Sequence, residues 1–145
     1  MNRNVWAASS ATVLVIIVVI LGFRASGGRG AQRLIRSDLR TVQTLANLAE
    51  KISDHWAASN KILPADLQGF SDTLTEDPTT HKKFSYRRKS DSQYELCATF
   101  VADSPKVQPS NSDDAGTFWS HSKGDRCFQF DAAQLPPPVP SFYIF

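Results

Sequence analysis

The sequence predicts an α+β protein in which one long amphipathic helix packs on a small antiparallel sheet, behind an N-terminal transmembrane helix. Three observations support this fold class. Residues 5–23 form an apolar run without a charged residue. Apolar residues then recur with helical spacing over residues 31–59, and beyond residue 84 the period changes to two. At 145 residues, the chain has room for one domain of roughly 100 residues with a single core, plus short terminal segments.

The apolar run from Val5 to Phe23 predicts an uncleaved membrane anchor. Its 19 residues would span about 28 Å as a helix, close to the roughly 30 Å hydrocarbon core of a bilayer. A cleavable secretion signal is the main alternative, and such signals end in small residues at defined positions. Cutting after Ala25 or Ser26 would place Phe23 or Arg24 at the third position before the cut, which does not suit that requirement.

Changes in composition divide the chain into four segments. The membrane anchor occupies residues 1–24. It is followed by a glycine-rich hinge at residues 25–30, where three glycines weaken a helix. An extracytoplasmic domain is predicted for residues 31–131, and a proline-rich aromatic tail for residues 132–145.

Basic residues are concentrated directly after the anchor. Residues 24–40 hold five arginines against Asp38 alone, a net charge of +4, whereas the chain from residue 41 holds 10 Lys/Arg and 13 Asp/Glu, a net charge of −3. Lipid phosphates are the natural partner of such a cluster, and plain solvation of a helix is the alternative. The overall charge of +2 is too weak to predict nucleic-acid binding. The predicted lipid-headgroup residues are Arg24, Arg29, Arg33, Arg36 and Arg40.

The long helix is predicted from Ala31 to Ser59, because its apolar residues fall on one face and its arginines lie nearly opposite. Pro64 cannot continue it, and one short helical turn is predicted for residues 65–70. The apolar stripe comprises Ile35, Leu39, Val42, Leu45, Ala46, Leu48, Ala49, Ile52 and Trp56.

Three short strands follow, each with one apolar and one polar face. Phe84 and Tyr86 begin the pattern, and a polar turn at residues 89–92 predicts an antiparallel hairpin. The third strand is predicted near residues 126–131. Residues 101–125 are predicted to be mostly loop, anchored by an aromatic pair. The apolar side of the sheet and its loop anchor comprise Phe84, Tyr86, Tyr94, Leu96, Ala98, Phe100, Phe118, Trp119, Phe128 and Phe130.

The two cysteines are predicted to form a disulfide. Cys97 and Cys127 both fall on the strand faces opposite the aromatic residues, on neighbouring candidate strands. Closing a loop of about 31 residues contributes roughly 3–4 kcal/mol in the chain-entropy model. Disulfides persist outside the reducing cytosol, so the pair favours an exported domain with the amino terminus inside. The positive-inside rule, applied to the arginines after the anchor, favours the opposite orientation.

No catalytic site or cofactor site is predicted. No nucleophile motif, phosphate loop or zinc-binding cysteine pair accompanies the histidines His55, His81 and His121. Surface or structural roles are therefore expected for them. Asn111 and Asp113 with its neighbour could supply oxygens to calcium, although polar loops commonly have this composition without a metal. We predict no metal, no nucleic acid and no small-molecule substrate.

The tail is predicted to be extended and to end in an apolar aromatic cluster. Residues 135–140 should adopt polyproline II, and the aromatic side chains of Phe142, Tyr143 and Phe145 follow. Such a cluster is rarely left in water by a monomer. It is assigned to partner binding, with the prolines holding it away from the domain; folding back on the domain and disorder are the alternatives.

The layout resembles type IV pilin-like proteins, especially the pseudopilins of type II secretion. The resemblance covers about residues 5–130 and rests on the two N-terminal helices, Leu63-Pro64, Asp77-Pro78, and the run from Tyr94 to Ala98. The span Gln93–Phe100, with Trp119 and Cys127, is also similar to uncharacterised bacterial single-pass membrane proteins. The pilin motif Gly-Phe-Thr-Leu-Ile-Glu is replaced here by Trp6-Ala7-Ala8-Ser9-Ser10, so filament assembly is not implied.

This resemblance implies a pilin-like domain in the periplasm, on a single-pass inner-membrane anchor. The expected function is that of a non-catalytic structural or accessory subunit of a cell-envelope or membrane protein complex. Its expected partners are membrane lipid and other membrane protein subunits. The alternative is a free-standing membrane-tethered binding module that uses the 101–125 loop or the tail as its recognition surface.

Overall fold

The computed structural model describes residues 13–22, 29–105 and 117–139, in two units, Met1–Arg33 and Leu34–Phe145. In the first unit, residues 13–22 are helical (α1). The nine apolar side chains from Val13 to Leu21 have exposed fractions between 49% and 64%. Within the described ranges, no helix is both long enough and apolar enough to span a bilayer. The rest of the predicted anchor lies outside these ranges.

Helix α2 runs from Arg29 to Ala58, which confirms the predicted long helix to within two residues at each end. Only the last two residues of the predicted hinge are described, and both are helical. The helix ends where Asn60 adopts a positive φ of 54° and the Lys61 N–H donates to the Trp56 carbonyl at 3.0 Å. This six-to-one hydrogen bond around a left-handed residue is the Schellman termination.

The segment after Pro64 differs from the prediction. Residues 65–70 form turns and bends instead of a helical turn. Asp66 Oδ1 accepts a hydrogen bond from the Gln68 N–H at 2.9 Å, and such local bonds compete with helical ones. An unpredicted short helix, α3, follows at Asp72–Thr75.

Three strands form one antiparallel sheet in the order β1-β2-β3. They are β1 (Ser85–Arg88), β2 (Gln93–Phe100) and β3 (Gly124–Asp131). The register places Leu96 opposite both Tyr86 and Phe128. This arrangement confirms the α+β class, the hairpin and the third strand.

The core lies between α2 and one face of the sheet. The central residues of the predicted helix stripe are fully buried, whereas Ile35 and Leu39 near its start are only partly buried. On the sheet side, Tyr94 is buried and donates its hydroxyl hydrogen to the Ala49 carbonyl at 3.2 Å. The core residues are Val42, Leu45, Leu48, Ala49, Ile52, Leu63, Phe84, Tyr94, Leu96, Ala98, Phe100, Trp119, Phe128, Phe130 and Ala132.

The disulfide prediction is confirmed. Cys97 and Cys127 lie directly opposite each other on β2 and β3 and are bonded. Both lie on the outer face of the sheet, because their neighbours Leu96 and Phe128 point into the core.

Two buried carboxylates connect α2 to loops, and the sequence pattern did not predict either. Asp38 is only 4% exposed, and it accepts hydrogen bonds from the N–H groups of Val101 at 3.0 Å and Ala102 at 2.8 Å. By its spacing, Asp38 falls within the apolar stripe of the helix, three residues after Ile35 and four before Val42. Here it is buried because the chain leaving β2 turns across the helix and needs acceptors for its backbone N–H groups.

Asp77 performs the same task for the turn before β1. One oxygen accepts the Thr41 hydroxyl of α2 at 2.5 Å, and the other accepts the N–H groups of Thr79 and Thr80. Burial acts to raise the pKa of the Asp77 carboxyl, but these hydrogen bonds outweigh burial and lower the pKa below its usual value. The folded state therefore favours the ionised form of Asp77.

The Asp77→Asn variant is expected to lose about 1 kcal/mol of unfolding free energy at neutral pH, because an amide cannot replace the charge-assisted hydrogen bonds. The pKa of Asp77 is lower in the folded state than in the unfolded state. The contribution of its carboxylate to the unfolding free energy is therefore fully present above the unfolded pKa of about 3.9, and it is lost as the pH falls through the folded pKa. Urea unfolding should therefore show a larger difference between wild type and variant at neutral pH than at about pH 3.

Asp91→Asn is the matched control, because the Asp91 side chain is 99% exposed and pairs with Arg88. Such surface pairs contribute little. Equal losses in the two variants, or a difference that does not depend on pH, would contradict the role of Asp77.

Candidate functional site: a groove between the sheet and the C-terminal tail

The candidate site begins where the chain leaves β3. The Asp131 side chain accepts the Ala133 N–H at 3.0 Å, and the Asp131 carbonyl accepts the Gln134 N–H at 3.0 Å. The Ala132 N–H donates to the Ser92 carbonyl at 2.8 Å, and Ala132 is buried. These bonds form a tight turn, which redirects the chain into the prolines of the tail.

The tail is attached to the domain by one buried tryptophan. The Trp119 side chain is 1% exposed, and its indole N–H donates to the Pro137 carbonyl at 3.1 Å. Val139 packs against the edge of the core. A proline has no N–H but keeps a good acceptor, so the tail satisfies an indole donor that would otherwise be buried without a partner.

Trp119 is itself held in an aromatic cluster over the end of the sheet. Its ring centroid lies 5.1 Å from that of Phe128 and 5.8 Å from that of Phe130. Phe118 lies 5.7 Å and 5.4 Å from the same two rings. The prediction that Phe118 and Trp119 anchor the 101–125 loop agrees with these contacts.

A groove of about 480 Å³ lies between the turn end of the sheet and this attached tail. Its floor is aromatic, its rim carries three glutamine amides and two charged groups, and leucine and prolines form the tail wall. Apolar surfaces with a few placed polar groups are typical of binding sites. The lining comprises Tyr94, Phe118 and Phe130 on the floor, Lys89, Gln93, Gln129, Asp131 and Gln134 on the rim, and Leu135, Pro136 and Pro137 on the wall.

The lining defines what the groove can do. Glutamine side chains both donate and accept hydrogen bonds, which suits an extended peptide backbone with an apolar side chain on the aromatic floor. Lys89 is already paired, because its Nζ lies 3.2 Å from the Glu95 carboxylate. The groove therefore suits an extended peptide segment with an apolar side chain, and the Asp131 carboxylate, which forms no ion pair within the described residues, is its one unneutralised charge.

The predicted partner-binding and calcium-binding residues fall outside the described ranges. This applies to Phe142, Tyr143 and Phe145, and to the oxygen donors at positions 111, 113 and 114. The sequence pattern did not predict the groove, because residues that line it, such as Lys89 and Gln129, lie 40 positions apart in the chain. A tryptophan in a loop together with a proline run was the available signal, since buried indole N–H groups need acceptors.

One expectation about the tail is wrong for its first half. The prolines were expected to hold the chain end away from the domain, whereas residues 135–139 lie against it through Trp119 and Val139. The reason is that an extended proline segment presents unpaired carbonyls along its whole length, which makes it a good surface for a buried donor.

The predicted lipid-contacting arginines are placed only in part. Arg33, Arg36 and Arg40 are exposed on α2, and no carboxylate of the described residues forms an ion pair with them. Arg24 and the side chain of Arg29 lie outside the described part of the chain. The three visible arginines are therefore available to an external anion.

The histidines occupy separate environments. His55 Nε2 lies 3.3 Å from Ser59 Oγ at the exposed end of α2, and the exposed His81 has a positive φ of 56° in its turn. His121 is buried, stacks on Phe100 with centroids 3.8 Å apart, and its Nδ1 lies 2.9 Å from the Trp119 carbonyl. These placements agree with surface and structural roles.

Comparisons with protein-family models, curated proteins and solved structures find no match to this chain. The resemblance to pilin-like proteins thus remains a prediction, and arguments about function depend on the chain's own geometry.

Removing residues 135–145 is expected to lower the melting temperature, because it leaves the Trp119 indole N–H buried without an acceptor and uncovers the core beside Val139. An unsatisfied buried donor costs about 1–3 kcal/mol, and each kcal/mol corresponds to roughly 4–8 °C in a domain of this size. Thermal unfolding followed by near-ultraviolet circular dichroism measures both the midpoint and the tryptophan environment.

Trp119→Phe provides the complementary variant, because it removes the N–H and keeps an aromatic ring. In the Trp119→Phe background, truncation should cost clearly less than in the wild type. An equal loss in both backgrounds would show that the indole bond to Pro137 does not attach the tail.

Proposed function

We propose that the protein is a non-catalytic, membrane-anchored accessory subunit of a cell-envelope or membrane protein complex. The observation that carries this proposal is the α1 segment, in which nine consecutive apolar side chains are at least 49% exposed. Soluble monomers rarely maintain such a patch, and a bilayer offers the matching environment on every side of a helix. The run extends in sequence from Val5 to Phe23, enough for one crossing.

The disulfide supports a periplasmic domain on a single-pass inner-membrane anchor. Cys97 and Cys127 are bonded on the outer face of the sheet, where cytosolic reductants would have access to the sulfurs. Disulfides persist in the bacterial periplasm and are rare in the cytosol. We therefore place the amino terminus inside and the domain outside.

The arginines at the start of α2 are the proposed lipid contact. The positive-inside rule alone would place them in the cytoplasm, and the orientation proposed here rests on the disulfide instead. Arg33 and Arg36 are exposed and have no carboxylate partner in the described residues, and further arginines precede them at positions 24 and 29. Each basic group near an anionic surface contributes about 1 kcal/mol. We assign this cluster to lipid phosphates beside the anchor.

The groove is the proposed contact with another subunit. Its aromatic floor and amide rim suit an extended peptide segment, and its tail wall is already ordered by the Trp119 bond at 3.1 Å. A wall that is attached before binding lowers the entropic cost of association. Phe142, Tyr143 and Phe145 follow within six residues of Val139 in the sequence, and we propose that they bind the same subunit.

A second candidate function, a free-standing tethered binding module, is favoured by the base of the 101–125 loop. Ser104 and His121 pair across that base, with the Ser104 N–H donating to the His121 carbonyl at 2.9 Å and Ser104 Oγ accepting the His121 N–H at 3.1 Å. These two bonds join the described ends of the loop, and recognition loops are commonly held at their ends by a rigid scaffold.

Membrane anchoring is tested by placing charges in α1. The Ile16→Lys/Val19→Lys variant should leave the membrane pellet after an alkaline wash, because each lysine costs about 2.5–3.5 kcal/mol within a bilayer. Ile62→Lys/Gln68→Lys is the matched control: it adds the same charge at exposed domain positions, Ile62 being 58% exposed. It should remain in the pellet with the wild type. Release of the wild type, or retention of the α1 variant, would contradict the anchor.

The subunit contact is tested by photo-crosslinking in intact membranes. A photoreactive residue at Gln134, on the groove rim, should give one discrete adduct with a membrane protein. The same residue at Lys51, exposed on α2 and outside the groove, should not. If the adduct forms only from a probe in the 101–125 loop, and the protein purifies as a monomer in mild detergent, the binding-module function is the correct one.

A further inference from the structure

The outer face of the sheet brings three potential metal ligands together. Glu95 and Cys97 are two residues apart on β2, so their side chains share that face, and Cys127 lies opposite Cys97 on β3. One Glu95 oxygen and the two sulfurs lie within 4.8 Å of one another. A pair two residues apart on one strand and a third ligand on the neighbouring strand can converge on one point above a sheet.

We propose that reduction of the Cys97–Cys127 disulfide creates a binding site for a thiophilic divalent cation such as Zn²⁺, held by Cys97, Cys127 and Glu95. Two thiolates and one carboxylate are ligands that zinc prefers, and tetrahedral zinc with three protein ligands keeps its fourth position for water. The proposal concerns the sheet alone and does not rest on the proposed function; in a periplasmic domain, where disulfides persist, the site forms only when a dithiol reductant opens the bond.

The required geometry is close to the one observed. Tetrahedral zinc with bonds of about 2.3 Å to sulfur places two thiolates about 3.8 Å apart. The Cα atoms of Cys97 and Cys127 are 3.9 Å apart, so once the bond is broken the freed sulfurs can separate to that spacing by rotation about χ1. No backbone movement is needed, and the core face of the sheet is not involved.

Glu95 is oriented for this role by its neighbours. Its carboxylate is mostly buried, with 13% of the side chain exposed, and Lys89 at 3.2 Å and Arg87 at 3.9 Å both approach Oε2. Both ion pairs hold the Glu95 carboxylate on the outer face of the sheet. A carboxylate positioned by neighbouring groups loses less entropy when it binds a metal ion.

Access to the disulfide is provided by a second groove. A cavity of about 350 Å³ opens beside Cys97 and Cys127 and is lined also by Lys82 and Lys83. Cys127 is exposed and Cys97 is partly buried, which makes the Cys127 sulfur the accessible one. Nearby ammonium groups favour thiolates over thiols, and thiolates are the form that binds zinc.

The opening step is thiol–disulfide exchange with a dithiol reductant. A thiolate of the reductant attacks Cys127 Sγ, the sulfur–sulfur bond breaks, and Cys97 leaves as a thiolate. The second thiol of the reductant then attacks its own sulfur in the mixed disulfide and releases Cys127. The reductant becomes a disulfide, and this chain gains two electrons and two protons. The cysteines release the two protons when the metal ion binds.

The test uses the full chain in detergent, reduced with a phosphine that becomes phosphine oxide and leaves no competing thiol, and titrated with Co²⁺ and then Zn²⁺. One Co²⁺ per reduced chain should bind, with thiolate-to-cobalt charge-transfer absorption, and Zn²⁺ should displace it. The oxidised protein and the reduced Cys97→Ser/Cys127→Ser variant should show no such absorption.

Glu95→Gln should weaken binding by about ten-fold or more, because one of three protein ligands is lost. Glu50→Gln, exposed on α2, is the matched control and should bind like the wild type. Reduced wild type without stoichiometric binding, or Glu95→Gln with unchanged affinity, would overturn the site. If reduction unfolds the domain, the same titration is followed by far-ultraviolet circular dichroism, and failure of Zn²⁺ to restore the folded signal overturns it equally.

Discussion

The packing of α2 on one face of the sheet is the constraint on which the rest of the structure depends. A three-stranded sheet cannot bury both of its faces with a single helix, so one face takes the aromatic residues and the other remains exposed to solvent. Ile52 and Leu48 on the helix and Leu96 on the sheet are fully buried at this contact. The groove lies at the margin of this contact, and the disulfide lies on the face that it leaves open.

The elements that follow from this constraint could be predicted from sequence. The helix face has a period near 3.6 and the strands have a period of two, and both signals come from neighbouring residues. The same parity places Cys97 and Cys127 on the open face, which is why a disulfide could be predicted before the strand order was known. Strand pairing then brings the two cysteines into direct opposition.

What could not be predicted depends on contacts between distant segments. Asp38 lies within the apolar face of the helix pattern, but its bonds to the N–H groups of Val101 and Ala102 join segments 63 and 64 residues apart. Asp77 is recognisable as a turn residue, but its bond to Thr41 joins segments 36 residues apart. The groove depends likewise on Trp119 meeting Pro137, a pairing for which local periodicity carries no signal.

The composition of the tail is incompatible with a further strand after β3. β3 is an edge strand of eight residues, and an unpaired edge is a template for a further strand. The chain turns at residues 131–134, and the tail then lies against the domain through Trp119 and Val139. Pro136 and Pro137 lack the N–H groups that a ladder needs, so the tail binds through a carbonyl to the Trp119 indole instead. The consequence is a tail that is attached without closing the groove between itself and the sheet.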